Sequence, residues 1–211
     1  MAAGRFITLE GGEGAGKTTL AKTLARTLEE QGIRTVITRE PGGTPNAEAL
    51  RNLLVEGETG RWSPLSETLL LYAARADHVE RLIKPSLSEG QWVICDRFSD
   101  STRAYQGAAG GLSEKRIAQI DAATLDGFGP DLTFMVDLDP DVGLERTRQR
   151  GEDATRFERQ PSPFHHKLRD AFLDIAKADP ERCVILDGSQ SPADVAARAF
   201  AELRSRLELS A

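Results

Sequence analysis

The stretch Gly11-Gly12-Glu13-Gly14-Ala15-Gly16-Lys17-Thr18 constrains this chain more than any other. It satisfies the pattern G-x-x-x-x-G-K-[ST], and its surroundings agree with it. Phe6, Ile7 and Leu9 form a short apolar run that predicts a buried strand. Leu20, Leu24 and Leu28 then recur at helical spacing, with Lys22, Arg26 and Glu29 between them. Strand, glycine loop and helix in that order make a phosphate-binding loop. Glycines let the backbone turn sharply and approach a phosphate without a Cβ clash. Successive N–H groups and the helix N-terminus behind them then hold anionic oxygens. In such a loop Gly11 to Thr19 bind the ATP phosphates, Lys17 reaches the β- and γ-phosphates, and the Thr18 hydroxyl ligates Mg²⁺. The loop leaves the acceptor of the phosphate open.

The rest of the chain alternates strand and helix, with no repeat, linker or low-complexity segment. Further strands are predicted at 33–39, 91–95, 132–138 and 182–186. Helices are predicted at 17–31, 46–56, 65–89 with Pro85 kinking or restarting it, 99–106, 113–126 capped by Ser113, 140–150, 161–178 and 191–207. A parallel sheet of five strands with helices on both faces follows, in one domain over 1–211, with ligands at the carboxyl ends of the strands. Residues 151–160 are charged and poor in apolar side chains, and read as an exposed loop.

Composition narrows the function classes. The formal charge is -6, from 27 basic and 33 acidic side chains, which argues against a nucleic-acid binder or an ATP-driven nucleic-acid motor. The N-terminus has no signal-peptide pattern, and no apolar run approaches the ~18 residues of a membrane span. Cys95 and Cys183 sit in apolar runs and read as buried thiols of a reduced, cytoplasmic protein. His78, His165 and His166 join no metal-ligand pattern and read as surface or packing residues. No Asn-Lys-x-Asp tetrapeptide is present, which weakens a guanine-nucleotide switch.

Asp96-Arg97 ends the third strand, on the sheet edge expected to carry the site. A carboxylate there can hold Mg²⁺, directly or through water, and the adjacent arginine can clamp phosphate oxygens. With these residues in place, the sequence resembles the bacterial thymidylate kinases. The matching stretches are Gly11–Thr19, Thr38–Thr44, Tyr72–Arg75, Asp96–Gly107, Pro130–Thr133 and Arg150–Glu152. Asp96–Gly107 is the most selective of them.

The resemblance implies a P-loop NTPase fold with a short lid at about 150–160, a homodimer, and transfer of the γ-phosphoryl of MgATP to dTMP, in dTTP biosynthesis. It implies that Glu13 lies near the acceptor sugar and phosphate, and that Arg97 bridges donor and acceptor phosphates. Arg51 would hold the acceptor phosphate, and Arg75 would read a thymine carbonyl. Thr102 and Gln106 would lie near the base, and Tyr105 under the deoxyribose. The loop has no arginine between Gly11 and Lys17, and the resemblance implies that the catalytic arginine then lies in the lid, where Arg150 and Arg156 match. Asp187-Gly188-Ser189-Gln190 would border the adenine. One departure stands out: the family's stacking phenylalanine, four residues before the base-reading arginine, is replaced by Leu71. Tyr72 is about 100° away around the helix and cannot simply take its place. A kinase for UMP, CMP or dUMP is the nearest alternative.

Overall fold

The computed structural model describes residues 4–149 and 155–207. Arg150 and residues 151–154 of the expected lid lie outside the described residues. Five parallel strands, β1 (Phe6–Glu10), β2 (Thr35–Arg39), β3 (Trp92–Asp96), β4 (Leu132–Asp137) and β5 (Cys183–Asp187), form one sheet in the order β2-β3-β1-β4-β5. The chain therefore lays β2 and β3 on one side of β1 and then crosses to β4 and β5 on the other. A crevice opens where the two windings diverge. Leu9 and Arg39 both pair with Asp96, so the carboxyl ends of β1, β2 and β3 come level.

Helix α1 (Lys17–Glu30) buries Leu20, Leu24 and Leu28 against one face of the sheet, beside α9 (Pro192–Arg206). Burying each leucine contributes about 2 kcal/mol. The helix ends as the sequence predicts. Gly32 takes a positive φ, Gly32 N–H donates to Glu29 O, and Ile33 N–H donates to Leu28 O. The other face is covered by α3 (Pro64–His78), α4 (Lys84–Ser88), α5 (Ser99–Thr102), α6 (Glu114–Leu125) and α8 (Ser162–Ala178). Helix α2 (Pro45–Val55) packs on α3, and α7 (Pro140–Arg148) follows β4. Thr44, Ser63, Asp139 and Ser191 each cap a helix whose first residue is proline.

Four local expectations need correction. The helix expected over 65–89 is three pieces, because Pro85 has no N–H to give; a π-helical turn at Val79–Ile83 absorbs the mismatch, with Lys84 N–H donating five residues back to Val79 O. Residues 107–109, beyond the helix expected over 99–106, belong to a second π-helical turn, Arg103–Ala109, that continues α5. Ser113 occupies the first capping position of α6, yet its side chain makes no capping bond. Residues 155–160 are not simply exposed: Arg156 is only 3% accessible. Among the described residues no helix is long and apolar enough to cross a membrane, and both cysteines are buried free thiols.

Candidate active site

Loop and helix place the phosphate end. Gly14 is at φ +66, and a Cβ there would meet Gly143 O at 2.0 Å. Gly143, on α7, would in turn drive a Cβ to 2.2 Å from Glu13 O. The loop and α7 therefore touch backbone to backbone, which only glycine allows on both sides. Lys17 Nζ folds back over the loop and donates to Gly11 O at 3.1 Å and Gly12 O at 2.7 Å. Burial and the Arg97 charge push the Lys17 ammonium down to about 8. An anionic phosphate would supply the missing counter-charge. Thr18 Oγ1 donates to Asp96 Oδ2 at 2.8 Å, so the two expected Mg²⁺ ligands, one on the loop and one on β3, are in contact.

Arg97 follows β3 at φ 72, a left-handed conformation uncommon for a residue with a Cβ. That turn sends its guanidinium back over the loop. Nη1 donates to Gly11 O at 2.9 Å and to Ser101 Oγ at 3.2 Å, and Nη2 donates to Glu13 Oε1 at 3.1 Å. The Tyr105 hydroxyl donates to the same Glu13 oxygen at 2.5 Å, and the Tyr105 ring lies 5.0 Å from the guanidinium carbon. Burial alone would push the Glu13 carboxyl upward; Arg97, Lys17 and the Tyr105 hydroxyl outweigh it and hold it down to about 2. Glu13, Arg97 and Tyr105, separated by up to 92 residues, thus form one cluster.

Glu10 underlies this cluster. It is fully buried at the end of β1 and accepts from Phe98 N–H at 2.7 Å, Ser101 N–H at 3.3 Å and Ser101 Oγ at 2.6 Å. Burial and nearby Asp100 raise its carboxyl to about 7, against the pull of Ser101 and Arg97. Sequence reasoning misses Glu10 because it ends an apolar strand. An acid immediately before Gly11 is the one available signal.

The base end is assembled differently. Arg75, on α3, is 2% exposed. Its Nε donates to Glu40 Oε2 at 2.6 Å, and Nη2 donates to Phe98 O and Thr102 Oγ1, both at 3.1 Å. Burial opposes its charge, but Glu40 outweighs that and raises it. Glu40 also meets His78 Nδ1 at 3.0 Å, and His78 Nε2 meets Thr38 Oγ1 at 2.7 Å. His78 is therefore a wholly buried member of a polar network. Glu40 stands inside the matching stretch 38–44 but has no role assigned from sequence; its pairing with α3 is non-local and leaves no periodic trace. Arg75 Nη1 is the one sealed side-chain nitrogen or oxygen without a partner among the described residues.

One cavity of about 610 Å³ runs from Glu13–Thr19 past Asp96 and Arg97 to Arg75, Thr102, Tyr105 and Gln106. Arg51 lines it too, with Nη1 donating to Pro41 O at 2.7 Å, and so does Leu71. Phe98 and Phe157 border it and are not anticipated by the sequence. Gly11 and Gly12 do not line the cavity, and meet the site through their carbonyls.

Arg156 is the exception. It does not line the cavity. Nε and Nη2 donate to Leu54 O at 3.0 and 2.9 Å, and Nη2 pairs with Glu67. Asp187, Ser189 and Gln190 bond one another at the exit of β5, outside the lining. His165 is buried with Nε2 near Gln160 O, and His166 is exposed.

The thymidylate kinase family model matches residues 9–199. The chain belongs to the thymidylate kinase family. It is 52% identical over 187 residues to a thymidylate kinase of Caulobacter vibrioides, covering 89% of each chain. It is 50% identical over 200 residues to one of Dinoroseobacter shibae, covering 95% of this chain and 96% of the other. Its fold superposes on a crystal structure of thymidylate kinase from Ehrlichia chaffeensis with TM-score 0.79 at 37% identity, covering 96% of this chain and all of that one. It is a nucleotide-binding transferase with the P-loop NTPase fold that the sequence predicts.

Proposed function

We infer that the cavity is where this chain transfers the γ-phosphoryl group of ATP to dTMP, and that Lys17, Arg97 and Glu13 are the groups that organise the transfer. The chain phosphorylates dTMP to dTDP, in dTTP biosynthesis, as its family does. The observation that carries the site reading is Arg75 Nη1. It is a buried donor without a partner, on a side chain lining the cavity that also holds the phosphate loop. A carbonyl of thymine would satisfy it.

In this reading an ionised oxygen of the dTMP phosphate attacks the γ-phosphorus in line, and ADP leaves. The acceptor is already an anion, so no strong base is needed. Positioning and charge neutralisation carry most of the rate. Lys17 exchanges its two carbonyl partners for phosphate oxygens. Arg97, fixed by Gly11 O, Ser101 and Glu13, spans both phosphates. Arg51 holds the acceptor phosphate. Glu13, kept ionised, accepts from the sugar 3′-hydroxyl, and Tyr105 packs against the deoxyribose where a 2′-hydroxyl would crowd it.

The Thr18 hydroxyl and the Asp96 carboxylate fit Mg²⁺, a hard ion that takes one or two protein oxygens and completes its shell with water and phosphate. Bound there it would neutralise phosphate charge. Arg156 is engaged with Glu67, so the expectation of an arginine closing over ATP rests on Arg150, outside the described residues. A homodimer and a cytoplasmic location complete the proposal; sedimentation tests the first.

The reading is tested by ADP formation from MgATP with dTMP, dUMP, UMP, dCMP, AMP and GMP. It expects turnover that requires a monophosphate and prefers dTMP. Preference for another pyrimidine would move the base assignment, and turnover without any monophosphate would overturn the reaction.

A further inference from the structure

Glu67 belongs to none of the roles above. It sits in the first turn of α3, 8% exposed, and takes one partner on each oxygen. Oε1 accepts from Gln106 Nε2 at 2.6 Å. Oε2 pairs with the guanidinium of Arg156, which is itself fixed by Leu54 O and lies against the Phe157 ring at 4.5 Å. Three stretches far apart in the chain thus meet on one carboxylate.

The chemistry of the partners dictates an orientation. A carboxylate held against a guanidinium can only accept hydrogen bonds. The Gln106 amide must therefore turn its NH₂ towards Glu67, and its carbonyl oxygen is directed elsewhere. That oxygen has no hydrogen-bond partner among the described residues, and it is not among the sealed, unpartnered atoms. Gln106 lines the cavity, so the open side of its amide is the cavity side. An acceptor there complements the N3–H of a thymine ring and opposes the unprotonated N3 of cytosine.

We propose that Glu67 is a positioning residue for base selection: held by Arg156, it locks the Gln106 amide with its carbonyl towards the base. This rests on the assignment of the cavity to dTMP. Arg156 then serves as the anchor of that lock.

The test is Glu67→Gln. Arg156 can only donate, so it takes the new amide's carbonyl and leaves its NH₂ facing Gln106. Gln106 then turns its own carbonyl to that NH₂ and presents a donor to the base. The expected result is a rise of about tenfold or more in KM for dTMP, with KM for ATP unchanged. The preference for dTMP over dCMP falls by the same factor, and in a Gln106→Ala background Glu67→Gln adds nothing further. An unchanged preference overturns the proposal, as does an equal loss in the Gln106→Ala background. Wild-type protein that does not prefer dTMP overturns the cavity assignment instead, and the proposal with it. Should Glu67→Gln fail to fold, the wild-type protein carries the test through the side-chain amide protons of Gln106. Slow solvent exchange with and without dTMP is expected from an NH₂ held on Glu67. Fast exchange in the free protein places that NH₂ in the cavity and overturns the proposal.

Discussion

The phosphate end of the cavity is drawn largely from one contiguous stretch, Glu13 to Thr19, which runs from the loop after β1 into the first turn of α1, joined by Asp96 and Arg97 where β3 ends. The base end has no such continuity. Glu40 follows β2, Leu71 and Arg75 lie on α3, Thr102 ends α5, and Gln106 sits in the π-helical turn beyond it. In the proposed reading, binding at the phosphate end falls to backbone N–H groups and to the cations of Lys17, Arg51 and Arg97, which any phosphate satisfies. At the base end it falls to side chains whose directions are set by buried charge, Glu40 on Arg75 and Glu67 on Gln106. A group shared by all nucleotides can be held by a local motif. A distinction between bases needs donors and acceptors fixed from several directions.

The comparison breaks most visibly at Lys17. Lys17→Ala should lower kcat by about a thousandfold with little change in stability, measured by steady-state ADP formation and by denaturant unfolding. Glu40→Ala acts on the other end and in the opposite sense. It leaves the Arg75 charge buried without its carboxylate, and should cost about 3 kcal/mol of unfolding free energy, read from the same denaturant curves. Gly143→Ala should displace the loop through Glu13 O, 2.2 Å from the new Cβ, and lower kcat/KM for ATP by roughly a hundredfold.

The smallest of these effects is a pH dependence. Lys17 is charged below about 8 in the free protein and neutral above it. Its cation is what the phosphates need, so kcat/KM for ATP should be level below that value and fall as pH rises through it. A profile flat to about pH 9, a full unit beyond that value, would show that Lys17 keeps its proton.

The same contrast explains what could be read from the sequence. The sheet, its strand count and the loop were legible because each rests on local signals: apolar runs, leucines at helical spacing, and glycines where the backbone must turn. Asp96 and Arg97 were legible from their place at a strand end. Glu67 was not, because its partners are 39 and 89 residues away and nothing in α3 marks it as other than a first-turn acid. The charged surroundings of Arg156 read as an exposed loop, and charge alone does not say which carboxylate a guanidinium will find. The π-helical turns escape notice for a related reason: Pro85 shows where the α-helical ladder fails, but not how the chain repairs it.

The separateness of the two ends is tested most directly by calorimetric titration of Arg75→Lys with dTMP and with a non-hydrolysable ATP analogue. Lysine keeps a cation against Glu40 but loses the unpartnered Nη1. The account predicts dTMP binding weakened by about tenfold or more and binding of the ATP analogue unchanged. Equal weakening of both ligands, or dTMP binding at the wild-type level, would contradict it.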